Sequence, residues 1–424
     1  MQTSVYEPRK AWGIVIWLTA LSTINFLDKV VFGMVAVPLM RDLQLTPSQY
    51  GLAAGSFFWL FSTSAALVGF VGNRVQTRWL LLGMAILWAL VQYPMSLVSS
   101  LGALIALRVI LGAGEAPGAG VWGHALYKWF PHEKRNLPLA VVNQGSIIGM
   151  VIAGLAVPFI SRNWGWRTNF EVLAVASVVW GAGWMVFGRE GTLQTQLPVR
   201  QGQQAPVQRI PYARLLLDTT IFTGFFAGFS AYWGLALGLT WLPSYLEKGL
   251  GFNAVQAGHM FSLVMVCSMP VVLTASAISQ RMLSRGATSR TARVLLGNGC
   301  LAVGGLLFLS MPMLAVAPMA KVTVLALAAA LPSVVFAVGP AITAEIVPDT
   351  QRSALMGISV AIATSAGMIA PVVMGKLLEG SMKTAPQQGF EQGFAICGVV
   401  MLIGALVSTL GGHPARSIKR LYGG

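Results

Sequence analysis

The sequence predicts an all-α membrane protein with twelve transmembrane helices in two pseudo-symmetric six-helix bundles. The first observation behind this prediction is composition. Apolar residues make up 55% of the 424 residues and charged residues only 10%, whereas soluble domains carry roughly a quarter charged residues. The mean hydropathy is +0.71. A lipid bilayer is therefore the expected solvent for most of the chain.

The second observation is the number of long apolar runs. A spanning helix needs about 20 predominantly apolar residues. Runs of this kind occupy 12–36, 48–72, 77–97, 101–123, 138–160, 169–188, 220–246, 256–279, 291–311, 320–342, 353–376 and 389–412. A polar, glutamine-rich stretch separates the sixth run from the seventh. We therefore expect an N-terminal bundle over 1–188, a cytoplasmic linker over 189–218 and a C-terminal bundle over 219–424.

The third observation is an internal repeat. Parallel halves with a site between them are a transporter architecture that works by alternating access, although a duplicated scaffold without transport would show the same repeat. The matching positions are Gln49 with Gln256, Gly51 with Gly258, Asn73-Arg74 with Gln280-Arg281, Arg78 with Arg285, and Pro131-x-x-x-Arg135 with Pro348-x-x-x-Arg352.

Charge sets the expected orientation. About two thirds of the 28 Lys and Arg residues fall on one side of the predicted spans, and a smaller set that includes Lys321 falls on the other. Because cytoplasmic loops carry the excess of Lys and Arg, we expect both termini in the cytoplasm, at a bacterial inner membrane. The same rule accounts for the net charge of +15 without a nucleic-acid partner.

Four charged residues fall inside predicted spans: Asp28, Lys29, Arg108 and Glu115. Each costs at least about 2.5–3.5 kcal/mol near the bilayer centre, so such residues are usually functional and paired. Arg108 and Glu115 are seven residues apart and share a helix face. Protonation of Glu115 or Asp28 would remove the cost of moving a bare carboxylate, and Lys29 or Arg108 could hold an anion. The alternative is that all four form structural ion pairs.

Weaker candidates are the uncharged polar residues of the spans. Asn25 shares a helix face with Asp28, Gln144 lies early in the fifth span, and Thr364 and Ser365 lie in the eleventh. Interhelical hydrogen bonding explains them as well as substrate contact does. We find no nucleophile elbow, phosphate-binding loop or metal-ligand cluster in the sequence. No catalytic residue, metal or cofactor is therefore expected.

Several motifs resemble those of the major facilitator superfamily, and within it the anion:cation symporter family of sugar-acid and organic-anion transporters. The resemblance covers nearly the whole chain. Its motifs are Asn25-Phe26-Leu27-Asp28-Lys29, Gly69-x-x-x-Asn73-Arg74-x-x-x-Arg78, Arg108-x-x-x-Gly112-x-Gly114-Glu115-Ala116-Pro117, Trp129-Phe130-Pro131-x-Glu133-Lys134-Arg135, Gly165-Trp166-Arg167-x-x-Phe170 and Trp241-Leu242-Pro243-x-Tyr245-Leu246.

The resemblance implies proton-coupled import of a small organic anion, a monocarboxylate or a sugar-acid-like carboxylate. It implies that Asp28 and Glu115 carry the coupling proton. Lys29 and Arg108 would hold the substrate carboxylate, and Gln144 would contact the substrate. The implied partners are the anion, protons and the lipid bilayer, and we expect a monomer.

Departures from the family pattern refine the expected substrate. Phe26 and Phe61 stand where the family has tyrosines, Lys29 stands for an arginine, and Thr364 stands for an asparagine. Lysine cannot form the two parallel hydrogen bonds that arginine forms with a carboxylate. Loss of two phenol hydroxyls removes partners for substrate hydroxyls. We therefore predict an anion with fewer hydroxyls than a sugar acid, such as a simple or aromatic carboxylate.

A further departure concerns the predicted gating motif. The family's signature loop carries an aspartate that helps to close the inner gate, and Asn73 occupies that position here, with Gln280 as its repeat partner. Both halves have lost the charge, so the resemblance implies a weaker latch. The motif comprises Gly69, Asn73, Arg74, Arg78, Gln280 and Arg281.

Three alternatives to import stay open at this point. An exporter or exchanger of the same fold would move the anion outward against protons or another anion. A membrane-embedded enzyme is disfavoured because the loops are short and carry no catalytic motif. A receptor is disfavoured because the 30-residue linker over 189–218 is too short for a signalling domain. The residues alone do not distinguish protons from sodium as the coupling ion.

Overall fold

The computed structural model describes residues 6–71, 74–131, 134–191, 193, 210–381 and 385–422. The regular secondary structure of these residues is helical, with no strand among them. Twelve helices are long and apolar enough to cross a membrane, one at each predicted place. The predicted fold class is confirmed. Most of the predicted linker lies outside the described residues.

In the first half of the chain the helices are α1 (Pro8–Met34), α2 (Ala36–Asp42), α3 (Pro47–Ser56), α4 (Phe61–Val71), α5 (Thr77–Ser96), α6 (Leu101–Glu115), α7 (Gly118–Tyr127), α8 (Asn136–Trp164) and α9 (Thr168–Phe187). The second half contains α10 (Tyr212–Leu216), α11 (Thr219–Thr240), α12 (Leu242–Ser244), α13 (Ala254–Ser284), α14 (Leu296–Ser310), α15 (Pro318–Ala330), α16 (Val334–Ile346), α17 (Asp349–Ser381), α18 (Pro386–Gly411) and α19 (Pro414–Tyr422). Short π-helical or 3₁₀ segments cover Tyr245–Gly249, Arg290–Leu295, Met311–Met313 and Leu331–Ser333.

The repeated glutamines are helix-capping residues. Gln49 accepts from the Thr46 N–H at 2.9 Å while its own N–H donates to Thr46 Oγ1 at 3.3 Å. Gln256 and Asn253 make the same reciprocal pair at 3.2 and 2.9 Å. Such capping boxes satisfy amide groups that the first helical turn leaves without partners. The repeat therefore preserves the start of α3 and of α13.

The repeated arginines cap helix ends. Arg135 donates to the Tyr127 carbonyl at 3.1 Å, and Arg352 donates to the Ala344 carbonyl at 2.6 Å. In both cases the acceptor lies eight residues earlier, in the last turn of the preceding helix. A cation at a helix C-terminus also interacts favourably with the helix dipole. The second repeat motif is therefore a structural device.

The described contacts divide the chain into two compact units. Unit 1 comprises Met1–Leu45 and Ser56–Ala205, and unit 2 comprises Thr46–Gly55 and Pro206–Gly424. In unit 2, α3 packs closely on α17. A side chain at Gly51 would collide with the Pro371 carbonyl. Glycine thus allows two helix backbones to touch, as is common between membrane helices.

Within unit 1, α1 is held against α8 by the same kind of contact. A Cβ at Gly145 would collide with the Thr19 carbonyl, and a Cβ at Gly149 would collide with the Thr23 carbonyl. Small residues permit this close approach of two spanning helices. The contact fixes the rotation of α1 and so determines which of its side chains point into the unit.

Candidate functional site

The inward face of α1 meets the C-terminal end of α6 at a buried acid. Glu115 Oε2 accepts from Asn25 Nδ2 at 3.1 Å and lies 3.2 Å from Lys29 Nζ. The Lys29 ammonium also donates to Asn25 Oδ1. The Glu115 side chain is completely buried, and that of Lys29 is 11% exposed. Two predicted site residues of α1 thus converge on the predicted coupling acid.

Asp28 lies beside this group but is bonded differently. It is 0% exposed, and neither of its carboxylate oxygens has a hydrogen-bond partner among the described residues. The charged groups that face it are Glu115, Lys29 and Arg108. An unsatisfied buried polar group costs about 1–3 kcal/mol, and more when it is charged. A buried carboxylate without hydrogen bonds lowers stability, so its presence makes the site a candidate for function.

Aromatic rings line both cations. Lys29 Nζ lies 4.5 Å from the centroid of the Phe26 ring and 6.0 Å from that of Phe61. The guanidinium carbon of Arg108 lies 4.2 Å from the Phe32 centroid and 4.7 Å from the Phe57 centroid. A cation over a ring face gains roughly 0.5–2 kcal/mol. The two phenylalanines that replace tyrosines thus provide apolar faces around Lys29.

The position of Glu115 follows from a break in its helix. Pro117 has no N–H to donate to the carbonyl four residues earlier, and that carbonyl, of Ala113, instead accepts from Ser64 Oγ at 2.5 Å. The next carbonyl, of Gly114, accepts from Trp88 Nε1 at 3.0 Å. Side chains of α4 and α5 therefore satisfy the end of α6, where Glu115 is the last residue.

A second constraint comes from Gly112. A Cβ there would collide with the carbonyl oxygen of Phe57. The backbone of α6 therefore touches the turn between α3 and α4, which carries one of the two rings around Arg108. Gly112 is required by this close approach and not by an unusual φ angle.

The remaining predicted binding residues are Gln144, Thr364 and Ser365. Gln144 is half-buried on α8. Within the described part of the chain it makes no hydrogen bond to Asn25, Lys29 or Glu115. Thr364 and Ser365 belong to unit 2, on α17. Their hydroxyls donate to carbonyls of the same helix, at 3.1 and 2.6 Å. A substrate role for these three residues remains a prediction.

The predicted gating motif is only partly described. Gly69 lies in α4, and Asn73 lies outside the described residues. Arg78 donates to the Met185 carbonyl at 2.9 Å, and Arg74 is exposed. In the second half, Gln280 and Arg281 are exposed in the last turns of α13.

Sequence reasoning missed Glu190 at the same end of unit 1. Its carboxylate accepts from the N–H groups of Thr77 and Arg78 at 3.2 and 3.0 Å and from the Lys128 ammonium. Burial acts to raise the pKa of Glu190, but these hydrogen bonds outweigh burial and hold the pKa below its ordinary value. Glu190 therefore caps α5 as an anion. Its signal in the sequence was weak because it follows a spanning helix by only a few residues.

Sequence reasoning also missed a buried ion pair in unit 2. Lys321 Nζ lies 2.5 Å from Glu391 Oε1, which also accepts from the Tyr245 hydroxyl at 2.9 Å and from Gln387 Nε2 at 3.0 Å. Lys321, which the charge count placed on the outer side of the predicted spans, is 4% exposed in the first turn of α15. The pair borders a cavity of about 530 Å³. Its residues were overlooked because both lie within a few positions of a predicted span end.

Asp28, Glu115, Lys29 and Arg108 together form the Glu115 group. When all four side chains are ionised, the net charge of the group is zero. Protonation of either acid leaves a net positive charge in a buried setting, where charge interactions are strong. Protonation of Glu115 would in addition release Lys29 from its ion pair. An anion that enters the site could then replace the Glu115 carboxylate as the ion-pair partner of Lys29.

Comparison with known proteins places the chain in a family. The sequence model of the Major Facilitator Superfamily matches residues 18–328, well over half of the chain. The chain belongs to this superfamily. Its relatives include proteins named as transporters. The resemblance stated from the motifs is confirmed.

Curated relatives transport anions. The chain is 27% identical to the hexuronate transporter of Bacillus subtilis over 246 residues, which is 57% of this chain and 58% of that relative. It is 26% identical to the probable sulfoacetate transporter SauU of Cupriavidus necator over 400 residues, 91% of this chain and 90% of that relative. Several matches thus span little more than half of the relative's length, whereas the sulfoacetate match is nearly complete.

Solved structures confirm the fold. A bacterial homologue of the human lysosomal transporter Spinster superposes with a TM-score of 0.79 at 16% identity, covering 97% of this chain and 98% of that structure. A D-xylose–proton symporter superposes with a TM-score of 0.76 at 15% identity, covering 96% and 99%. At such identities the likeness extends to the fold alone.

Proposed function

We propose that this transporter imports a small organic anion together with protons by alternating access. The observation that carries the proposal is the Lys29–Glu115 ion pair at 3.2 Å. An anionic substrate could bind to the Lys29 cation, which is at present paired with Glu115. A proton could neutralise Glu115. Loading a proton on Glu115 would make Lys29 available to the substrate.

The charge of the group supports coupling of proton and anion. A bare anion beside ionised Asp28 and Glu115 would face two like charges in a buried site. One proton on either acid offsets the charge that the anion brings. Buried ionisable residues within membrane helices commonly form such proton relays. Proton and anion would therefore bind together and cross together.

The aromatic walls support a substrate with few hydroxyl groups. Phe26 and Phe61 face the Lys29 ammonium and offer no hydrogen bond to a sugar hydroxyl. Among the relatives, the probable sulfoacetate transporter matches almost end to end, while the hexuronate transporter matches over little more than half its length. We therefore propose a small carboxylate or a related acid with few hydroxyls, aliphatic or aromatic, held by Lys29 and Arg108.

The test is uptake by purified protein in liposomes. A panel of labelled anions, including sulfoacetate, simple aliphatic and aromatic carboxylates and a hexuronate, is offered under an inward proton gradient, an outward proton gradient or an inward sodium gradient. We expect one of the less hydroxylated anions to accumulate against its own gradient only with the inward proton gradient. Accumulation driven by sodium alone, or only outward movement, would contradict the proposal.

The substrate class has a separate test. In the Phe26→Tyr/Phe61→Tyr double variant, two hydroxyls return to the rings beside Lys29. We expect hexuronate uptake to rise relative to uptake of the simple carboxylate. Robust uptake of a hexuronate by the unaltered protein, with none of the simpler anions, would rule out this substrate class but not proton coupling.

A further inference from the structure

A cavity lies at one end of unit 1, outside the Glu115 group. Its volume is about 290 Å³, and it is bordered by the first turns of α1, the end of α9 and Trp129. Six spans run from the start of α1 to the end of α9, so both of these helix ends lie on the same side of a membrane. The lining includes Lys10, Gly13, Trp17, Trp129, Phe187 and Arg189. The cavity therefore combines two cations with an aromatic wall at a membrane boundary.

The aromatic wall is held in place by α9. The Trp17 ring stacks on the Phe187 ring with a centroid distance of 5.7 Å. Trp180 Nε1 donates to the Trp17 carbonyl at 2.9 Å. A Cβ at Gly183 would collide with the Trp17 ring, so glycine makes room for the indole on this helix. The apolar side of the cavity is thus a fixed surface.

The cation at the end of α9 is also fixed. Trp129 Nε1 donates to the Arg189 carbonyl at 3.3 Å, and the Leu193 N–H donates to the Lys128 carbonyl at 3.0 Å. These two bonds join the segment after α9 to the segment after α7. The Arg189 side chain is exposed, and its backbone is tied down beside the cavity.

A second cavity of about 180 Å³ adjoins the first on its polar side. The two cavities share Lys10, Trp129 and Arg189. The second cavity adds one cation, Lys128, and two carboxylates, Glu7 and Glu190, so three cations face two acids. Glu190 accepts from Lys128, and Glu7 pairs with Lys10 at 2.6 Å, with both side chains more than half exposed. An exposed pair of this kind is weak and can yield to another anion.

The polar and apolar parts are arranged as in a membrane lipid. Trp17 follows Lys10 by seven residues, about 10 Å along the helix axis. Val186 and Phe187 are 70% and 60% exposed, and in a bilayer such surface faces lipid tails. Tryptophan and lysine at span ends commonly act as interfacial anchors. Anchoring alone does not account for two adjoining cavities that share the same cations.

We propose that the two cavities form a binding site for one anionic phospholipid. Its phosphate lies between Lys10 and Arg189, and one acyl chain follows Trp17 and Phe187. A soluble phosphate would use the cations but leave the apolar cavity empty. A zwitterionic phospholipid would bring a further positive charge to a lining that is already net positive, and like charges repel. The site therefore selects a lipid whose headgroup carries no cation.

Native mass spectrometry of the full-length protein counts bound lipids directly and needs no transport substrate. The protein is titrated with dioleoylphosphatidylglycerol, which is anionic, or with dioleoylphosphatidylcholine, which is zwitterionic and has the same acyl chains. Lys10→Gln/Arg189→Gln removes the two shared cations. Arg214→Gln/Arg416→Gln removes two exposed cations on α10 and α19 of unit 2 and is the matched control. Glycerol phosphate, which has no acyl chain, is added as a competitor.

A second pair of variants tests the apolar cavity. Gly13 lines it, and a Cβ at Gly13 meets nothing within 4 Å. Gly13→Leu therefore fills the cavity without displacing a neighbour. Gly83→Leu on α5, where a Cβ also meets nothing within 4 Å, is its control. This pair carries the test if the double charge variant does not fold.

We expect the first phosphatidylglycerol to bind several-fold more tightly than phosphatidylcholine. This binding should weaken roughly ten- to thirty-fold in Lys10→Gln/Arg189→Gln, the scale expected for two cations beside an anionic lipid. It should weaken in Gly13→Leu as well and stay unchanged in both controls. Equal weakening in the two double charge variants would show a general effect of surface charge and would overturn the inference. Displacement of the lipid by equimolar glycerol phosphate, or equal binding of the two lipids, would also overturn it.

Discussion

Two buried charge clusters of this protein differ in how completely they are bonded. In unit 2, Glu391 accepts hydrogen bonds from Lys321, Tyr245 and Gln387, and no buried side-chain atom of these four residues lacks a partner among those described. In unit 1, one oxygen of Glu115 and both oxygens of Asp28 have no hydrogen-bond partner in the part of the chain that the structure describes. Both clusters are almost completely buried.

The difference indicates what each cluster does. A buried ion pair whose hydrogen bonds are all made has little to gain from a proton or a ligand, and removing one member leaves an uncompensated charge. A cluster with unsatisfied oxygens can gain bonds by taking up a proton or an anion. We therefore propose a structural role for the unit 2 cluster and a transport role for the unit 1 cluster.

The largest expected effect comes from removing one charge of the Lys321–Glu391 ion pair. Lys321→Met should lower the stability of the protein by about 3–5 kcal/mol, because Glu391 stays buried without its cation. The measurement is thermal unfolding of the purified protein followed by tryptophan fluorescence. The double variant Lys321→Met/Glu391→Leu removes both charges and should recover most of the loss. A stable single variant would contradict a structural role for this pair.

The next largest effect concerns the backbone contact between Gly112 and Phe57, next to the unit 1 cluster. Gly112→Ala places a methyl group against the Phe57 carbonyl, so α6 must move away from the turn that holds the ring beside Arg108. Overpacking of this kind costs typically 1–3 kcal/mol. Gly120→Ala in the same span meets nothing within 4 Å and is the control. Equal unfolding temperatures for the two variants would show that the contact is not tight.

Glu190 is an intermediate case, a partly exposed carboxylate whose bonds are made. Because its pKa lies below the ordinary glutamate value of 4.5, its stabilising contribution is present above that pH and is lost as the pH falls through its folded pKa. Glu190→Gln should cost about 1 kcal/mol at pH 7. The difference in unfolding temperature should then narrow as the pH falls further below 4.5. A difference that is constant with pH would contradict an ionic cap.

The smallest effect concerns the ring beside Lys29. Phe26→Leu keeps an apolar side chain but removes the aromatic face that lies 4.5 Å from the ammonium. Loss of about 0.5–1 kcal/mol should raise the KM of the anion identified by uptake roughly two- to five-fold. Phe159→Leu changes an exposed ring on α8 and should leave the KM unchanged. An unaltered KM for Phe26→Leu would mean that the ring does not act on the binding cation.

The twelve-helix fold was predictable because the hydropathy of the sequence determines the number and positions of the spanning helices. Each of the twelve apolar runs corresponds to one spanning helix. The largest departure is in the seventh run, predicted to end at 246, where the helix ends at Thr240. The eighth and eleventh helices extend beyond their predicted ends at 279 and 376, to Ser284 and Ser381. The breaks at 57–60 and 116–117 were not predicted. Pro117 could have indicated the second break, but the first contains no proline or glycine and depends on the contact with Gly112.

The site was predictable where charge and family motif coincide. Asn25, Lys29 and Glu115 were each named as candidates from the sequence, and the structure brings the three together in unit 1. Glu391 was missed because an acid near a span end has no sequence signal of its own. Its bonding to Lys321 and Tyr245 is visible only in the tertiary structure.

The most direct measurement compares Glu115→Gln with Glu391→Gln in the same two assays, thermal unfolding and proton-driven uptake into liposomes. We expect Glu115→Gln to unfold near the temperature of the unaltered protein, to lose accumulation and to keep anion exchange. Glu391→Gln should unfold at a lower temperature, while the folded fraction still accumulates the anion. Normal accumulation by Glu115→Gln, together with lost coupling in stable Glu391→Gln, would contradict the assignment of transport to the unit 1 cluster.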